Sequence, residues 1–104
     1  MASPTSRSLE YMREQGYLCD VVERWIPGAN IRKDCWGFAD LICLRGKEIV
    51  AVQTTSGSNV SARVKKIAEH ENVGIVREAG IKIIVHGWAK RANGRWELRE
   101  VDCS

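Results

Sequence analysis

The residues best suited to chemistry in this chain lie in one stretch, DCWGFADLICLRGKEIVAVQTTS, which runs from position 34 to position 56. Asp40 stands at the start of one apolar run, and Gln53 and Thr55 stand near the end of the next. Carboxylate and amide oxygens, with carbonyl groups and water, are the ligands that Mg²⁺ accepts. Side chains of these types brought together would therefore begin a divalent-metal site.

A β-hairpin would bring them together. A two-residue turn at positions 46–47 sets a register in which Asp40 faces Gln53 across the strand pair. Directly opposed residues have Cβ atoms about 4.5–5.5 Å apart, and strand alternation places Thr55 on the face of Gln53. The sequence therefore predicts a polar end for this hairpin. The alternative is that Asp40 only caps a strand and Gln53 is a polar residue at an edge.

Two further acids could add carboxylates to this end of the hairpin. Asp34 precedes Asp40 by six positions, and Glu23 lies near the end of the preceding predicted strand. An exposed strand acid with no role is the alternative for Glu23. Of the two histidines, His86 lies within the apolar stretch IKIIVHGW, and we expect it to be structural rather than a catalytic base.

Basic residues are candidates for holding phosphate groups, since Lys and Arg make many of the contacts to nucleic-acid backbones. The candidates are Arg32, Lys33, Arg63, Lys65 and Lys66. A solvated surface is the alternative unless these residues converge on one face. Among the four tryptophans, Trp36 is the candidate for touching a nucleic-acid base, while the others are predicted to lie in the core or in strand pairs.

The composition fits one ordinary globular domain, positions 1–104, with 44% hydrophobic residues, 28% charged residues and a net charge of +3. The chain has no apolar run near the roughly 20 residues that span a bilayer, and no signal peptide is evident. We therefore expect a cytoplasmic protein without a membrane partner. The four cysteines lack C-x-x-C spacing, so free thiols are predicted.

The elements that must position these residues follow from periodicity and turn signals. They predict the order α-β-β-β-α(α)-β-β, an α/β domain whose mixed central sheet of about five strands is flanked by helices. A helical connection lets the third and fourth strands run parallel. The predicted bounds are helix 6–15, strand 17–26, loop 27–33, the hairpin within 34–56, helices 58–70 and 73–79, strand 81–88, an Asn-Gly type I′ turn at 92–95 and strand 95–101.

Residues 6 to 90 resemble the PD-(D/E)XK nuclease superfamily, and especially small phage and bacterial members of the Holliday-junction-resolvase and VRR-NUC type. The resemblance rests on the helix ending in Gly16-Tyr17, the strand after it, and the motifs GFADLIC and IVAVQTTS. It implies a restriction-endonuclease-like core and an endonuclease that uses Mg²⁺ or Mn²⁺ to hydrolyse DNA, including branched DNA. It also implies a homodimer, because cutting two strands takes two copies.

The resemblance assigns the site residue by residue. Asp40 matches the metal-binding Asp of the family, although Ala39 replaces the usual proline before it. Gln53 stands where the family has Glu and would be the second metal ligand, with Asp34 or Glu23 supplying the missing charge.

Thr55 stands where the family has a lysine that orients the attacking water, and Lys33 or Lys65 would be a migrated replacement. Because the usual Glu and Lys are both absent, the alternative is a catalytically inactive DNA-binding module with a nuclease fold. A third hypothesis is a protein-interaction domain without any role in nucleic-acid binding.

Overall fold

The computed structural model describes residues 2–104. Its elements, in chain order, are α1 (Pro4–Glu14), β1 (Leu18–Val21), β2 (Arg24–Ile26), β3 (Ile31–Lys33), β4 (Leu41–Arg45), β5 (Glu48–Ser56), α2 (Val60–Ala68), α3 (Val73–Glu78), β6 (Lys82–Lys90) and β7 (Trp96–Asp102). The predicted α/β class with a five-stranded mixed sheet and flanking helices is confirmed. Within the described range, no helix is long and apolar enough to cross a membrane.

The central sheet has the strand order β1-β4-β5-β6-β7. Only β5 and β6 run parallel, and α2 and α3 connect them, as the sequence predicts. The other neighbours pair antiparallel. Strand β5 is buried from Val50 to Thr55, and a continuous buried run of this kind is typical of a strand covered on both faces.

The core lies on both faces of the sheet. Around α1 the buried side chains are Met12, Cys19, Leu41, Cys43, Val50 and Val52. Beneath α2 and α3 they include Phe38, Ala51, Val60, Ile67, Ile83 and Val85. Each large aliphatic side chain buried here stabilises the fold by about 1.5–3 kcal/mol. The four cysteines are free thiols, as predicted.

The prediction of one strand over residues 17–26 and a loop over 27–33 is wrong. The chain leaves the central sheet after β1, and β2 then pairs with β3 as a separate two-stranded hairpin. Pro27 and Gly28 begin the turn of this hairpin, and Gly28 and Asn30 have φ of 88° and 50°, which reverse the chain tightly. We call residues 24–33 the arm hairpin.

The two other turns have different outcomes. The register fixed by positions 46–47 is confirmed, since Arg45 faces Glu48 and the ladder runs on to Leu41 and Val52. The predicted type I′ turn at 92–95 is wrong. The loop is longer than two residues. Gly94 N donates to the Arg91 carbonyl, and Gly94 is the only residue of this loop with positive φ, as in a type I turn followed by a bulge.

Candidate active site

The backbone of Asp40 is fixed between two strands of the central sheet. Its amide donates to the Val52 carbonyl at 2.8 Å, and its carbonyl accepts from the Val22 amide at 2.9 Å. These bonds extend the β1–β4–β5 ladders by one step beyond the last paired residues. The Asp40 side chain is therefore held at the end of the hairpin, where the turn register predicts it.

A closed loop brings the Asp34 side chain to the same place. Between positions 34 and 40, the backbones of Cys35 and Ala39 exchange two hydrogen bonds, of 2.8 and 2.9 Å. Gly37 has φ of 90° and packs so closely on His70 that a Cβ atom there would clash with the imidazole ring. The hydrogen bonds between Cys35 and Ala39 thus close the loop, and the contact of Gly37 with His70 holds it against the end of α2.

Three carboxylates meet at this point, and we call Glu23, Asp34 and Asp40 the acidic cluster. One oxygen from each lies within 4.8 Å of the others, close enough for all three to ligate one ion. The predicted approach of Asp34 and Glu23 to Asp40 is confirmed. Glu23 arrives because Val22 continues the β1–β4 ladder to the carbonyl of Asp40.

The Asp40 carboxylate is also bound from strand β5. Its Oδ2 atom accepts hydrogen bonds from Gln53 Nε2 at 2.8 Å, from Thr54 N at 2.7 Å and from Thr54 Oγ1 at 3.1 Å. The predicted Asp40–Gln53 contact is confirmed. Because a carboxylate only accepts, the Gln53 amide must present its nitrogen to Asp40. Its Oε1 atom is buried, and nothing in the described part of the chain donates to it.

The cluster opens into a cavity of about 240 Å³. The N-terminal turn of α1 forms one wall, where Thr5 Oγ1 contacts Thr54 Oγ1 at 2.8 Å. Since Thr54 donates its only hydroxyl proton to Asp40, Thr5 must be the donor in that contact. The lining residues are Ser3, Pro4, Thr5, Glu23, Arg32, Asp34, Asp40, Gln53, Thr54 and Arg63.

Two guanidinium groups bring positive charge to the cavity. Arg32 comes from the arm hairpin and lies 3.7 Å from a carboxylate oxygen of Glu23. Arg63 comes from α2 and also lines the cavity. The site thus combines clustered carboxylates with guanidinium groups at its rim, a pairing suited to a metal ion and the phosphate beside it.

Crowding and burial favour protonation of the two aspartates. The pKa of Asp34 is raised to about 6, first by burial and then by its hydrogen bond to Asp40, while Lys66 and Arg63 act in the opposite direction. Burial also raises the pKa of Asp40, and the backbone N–H of Thr54 opposes this. Like charges held this close repel each other, and a cation between them would relieve the repulsion.

The residues present fit a small divalent cation. All the ligand atoms are oxygens, as Mg²⁺ and Mn²⁺ prefer, and the carboxylates supply the negative charge that Gln53 does not. The buried Oε1 of Gln53 is an acceptor that a cation would satisfy. Asp40 and Gln53, the predicted metal ligands, therefore line the same cavity as Asp34 and Glu23.

Several predicted residues lie elsewhere. Thr55 is buried and is not among the described residues that line the cavity. Lys65 and Lys66 line an open depression along α2. Lys33 and Trp36 line another depression, which shares Asp34 with the cavity. The five predicted phosphate contacts thus converge only in part, with Arg32 and Arg63 at the cavity.

The Trp36 side chain turns toward α3 rather than the acidic cluster. Its carbonyl accepts a hydrogen bond of 2.9 Å from the Asn72 side chain, and its ring lines an apolar depression with Ile75 and Ile81. Its backbone has φ of 56°, an unusual value for a non-glycine residue. The tight loop that positions the aspartates accounts for this conformation.

His86 belongs to a separate buried network, as its place in an apolar strand suggests. Its Nδ1 atom lies 2.9 Å from Ser8 Oγ, and its Nε2 atom lies 3.0 Å from a Glu100 carboxylate oxygen. Trp88 Nε1 donates to the same Ser8 oxygen at 2.8 Å. Burial lowers the pKa of His86, and Glu100 opposes that change. Ser8 is fully buried, so this serine is closed to any substrate.

The sequence reasoning missed Thr54 and the wall formed by Ser3, Pro4 and Thr5. Alternation along β5 directs Thr54 away from Gln53, so sequence alone does not predict a shared partner for the two. They share one because Asp40 precedes its strand at a bend and its carboxylate reaches a backbone amide. The S-P-T-S start of α1 is a readable helix cap, and Ser3 and Ser6 form it. Only the tertiary fold places that cap over β5.

No protein-family model matches this chain, and no relative was found among curated proteins.

Proposed function

We propose that this protein is a divalent-metal-dependent endonuclease that hydrolyses DNA phosphodiester bonds. The observation that carries the proposal is the acidic cluster, whose three carboxylates share a cavity with Gln53, Arg32 and Arg63. Its resemblance to nucleases through Asp40 and the following hairpin supports the same reaction. Mg²⁺ or Mn²⁺ is the cofactor that these ligands favour.

Each side chain has a defined part in this proposal. Asp40, Asp34, Glu23 and Gln53 hold the cation, which when bound stabilises charge on the phosphate and lowers the pKa of an attacking water. Thr54 and Thr5 keep the Asp40 carboxylate in place through their chain of hydrogen bonds.

Arg63 and Arg32 hold the phosphate through charge-assisted hydrogen bonds. Arg63 also offers the positive charge that Thr55 cannot supply in place of the family lysine. Lys33, Lys65 and Lys66 extend the contact to neighbouring phosphates, from the depressions beside the cavity.

A catalytically inactive DNA-binding module is the second candidate. One observation favours it, because Gln53 and Thr54 already supply three hydrogen bonds to Asp40 Oδ2 without any metal. Such a module would bind DNA through its basic residues, and the logarithm of its binding constant would fall linearly with the logarithm of salt concentration. It would cleave nothing under any divalent ion.

The deciding experiment is a cleavage panel on single-stranded, duplex, flap and four-way DNA with Mg²⁺, Mn²⁺ or EDTA. We expect cleavage with either metal, none in EDTA, and background levels in the Asp40→Asn variant. Asp20→Asn is the matched control, because it makes the same change at an exposed acid on β1. Circular dichroism of both variants establishes that they fold.

Cleavage by Asp40→Asn at the wild-type rate would overturn the site assignment. If the wild type cuts none of the four substrates and calorimetric titration with Mn²⁺ gives no heat of binding, the enzyme proposal is overturned. Salt-dependent binding of DNA would then identify the inactive module. Binding of metal without cleavage would also count against the enzyme proposal, and it would leave the metal site standing.

A homodimer goes with the enzyme proposal, since each copy carries one cluster and a duplex has two strands. A row of exposed apolar side chains supports it. Leu18, Leu44 and Ile49 lie side by side across β1, β4 and β5 and are 73%, 42% and 37% exposed. Light scattering on the purified protein gives the mass directly, and replacing Leu18 with Lys should shift a dimer toward monomer.

A further inference from the structure

The arm hairpin carries an aromatic and basic surface beside the acidic cluster. Trp25 and Arg32 are directly opposed on β2 and β3, so both side chains stand on the same face of the hairpin. Glu23 and Asp34 lie next to the last paired residues, Arg24 and Lys33, two positions along the chain from Trp25 and Arg32. Their carboxylate oxygens come within 4.8 Å of each other, and Glu23 also contacts Arg32. The Trp25–Arg32 pair therefore continues the surface on which two of the three carboxylates stand.

Trp25 is not a core residue, contrary to the expectation from sequence. The residue is 54% exposed, and among the described residues none from 24 to 33 belongs to either hydrophobic cluster. An isolated two-stranded hairpin is only marginally stable in water. The exposed indole lies outside both hydrophobic clusters and is available for a ligand.

The charge of the arm hairpin indicates which class of ligand it would bind. Its ten residues include Arg24, Arg32 and Lys33 and no acid. Arg32 has a salt bridge only to Glu23 among the described residues, and its side chain is largely exposed. A cationic surface built around an aromatic ring is suited to a single nucleic-acid strand, whose phosphates meet the cations while its bases stack on the ring.

We propose, on the basis of the function above, that Trp25 stacks an unpaired base of the substrate, so that the site acts on DNA with a single-stranded segment at the scissile bond. In an intact duplex, every internal base is stacked on both sides and offers no free face to the indole. Trp25 lies two residues along the chain from Glu23, a separation of about 6.8 Å in extended backbone, so a base on the indole would be near the acidic cluster.

The test measures DNA binding in EDTA, where no cleavage occurs, by fluorescence anisotropy at one fixed salt concentration. The probes are a labelled single strand, a blunt duplex and a duplex with a single-stranded overhang. We expect the wild type to prefer the single strand and the overhang over the blunt duplex. Trp25→Ala should weaken binding to these two by about tenfold, in line with one lost stacking contact, and change blunt-duplex binding less than twofold.

Two further variants separate stacking from folding. Trp25→Phe keeps an aromatic face and should retain most of the single-strand affinity. Trp96→Ala is the matched control, since Trp96 is 41% exposed on β7, at the other edge of the sheet. Equal affinities of Trp25→Ala and wild type for the single strand would overturn the proposal, and so would an equal loss on all three probes.

The outcomes also separate this proposal from the nuclease proposal. Metal-dependent cleavage of blunt duplex without any preference for single strands would overturn the stacking role and leave the enzyme standing. Single-strand binding that depends on Trp25, without cleavage under any metal, would support the stacking role and make the protein a binding module. A wild type that binds none of the three probes in EDTA would overturn the stacking role, and the cleavage panel would still decide the enzyme proposal.

Discussion

Two polar networks lie at the sheet, and they are built in opposite ways. Around His86, the ring nitrogens, the Ser8 hydroxyl and the Trp88 indole all have partners, and the imidazole is fully buried. Around Asp40, three carboxylates crowd together, and the buried Gln53 oxygen is left without a donor among residues 2–104.

The difference indicates what each network is for. A buried network with every partner present lowers the energy of one fold, since leaving a buried polar group unpaired costs about 1–3 kcal/mol. A network that keeps an acceptor spare and holds like charges together raises the energy of the fold until a ligand arrives. The second network also opens to solvent through a cavity, whereas the serine of the first has no surface.

The contrast between the two networks would fail if the His86 network did not stabilise the fold. His86→Ala should lower the free energy of unfolding by about 3 kcal/mol, because it leaves a cavity and removes the partner of the Ser8 hydroxyl. Urea denaturation at pH 7.5 measures this loss. Metal affinity in the folded variant should stay within twofold of wild type, and a hundredfold loss would mean that the two networks are coupled.

Asp34→Asn, in the network around Asp40, should change stability in the opposite direction to His86→Ala. Mn²⁺ affinity should fall by at least about 10- to 100-fold, since losing a ligand costs no less than losing a residue that supports one. The free energy of unfolding in EDTA should rise at neutral pH, because one of three mutually repelling charges is gone. Calorimetry and urea denaturation on the same sample report both quantities, and a stability loss without a change in affinity would contradict the assignment.

Metal affinity should also depend on pH through Asp34. With a pKa of about 6, this carboxyl is mostly protonated at pH 5 and mostly ionised at pH 7. A cation must displace that proton, so the apparent affinity for Mn²⁺ should rise about tenfold over this interval. Titrations at half-unit steps would show it. An affinity that is flat between pH 5 and pH 7 would place Asp34 outside the ligand set.

The smallest expected effect is a difference in acid stability. Between its ordinary pKa of 3.8 and its folded pKa of about 6, Asp34 binds more proton in the folded than in the unfolded chain. That contribution to stability is present below pH 3.8 and is lost as pH rises through 6. His86, whose pKa is lowered by burial, acts in the other direction and destabilises the fold as pH falls below 6.5.

The advantage of Asp34→Asn over wild type should therefore shrink by roughly 1–2 kcal/mol between pH 7 and pH 4.5, after allowance for solvent screening. Thermal denaturation at the two pH values measures the change. An advantage that grows toward low pH would mean that burial does not favour the protonated carboxyl.

The predictable parts of the structure are those set by local chemistry. The two-residue turn at 46–47 fixes the register of the hairpin, and that register brings Asp40 to Gln53. Gly46 has φ of 58°, as the first central position of a type II′ turn requires, so the signal in the sequence and the conformation agree. The same reasoning gives the parallel pair β5–β6, because a helical connection of that length allows it.

The unpredicted parts depend on contacts between distant segments. The arm hairpin was not predicted because residues that favour strands continue from Leu18 to Ile26. The chain turns away after Val22, and only the position of Asp40 between β1 and β5 explains this turn. The Pro27-Gly28 pair signals a turn, yet nothing local indicates that the residues beyond it pair back. Arg63 was predicted from its charge alone. Thr5 approaches the site only because α1 docks against the sheet.

The tied loop between Asp34 and Asp40 has a consequence for how this sequence can change over evolution. Hydrogen bonds between Cys35 and Ala39 close its five intervening residues into a loop. The loop cannot expand at Gly37, because His70 fills the space that a side chain would need. A residue gained or lost there would carry one aspartate away from the other, whereas substitutions at Trp36 would leave the spacing intact. In homologues that share this chemistry, the length of this loop should be inherited more faithfully than its amino acids.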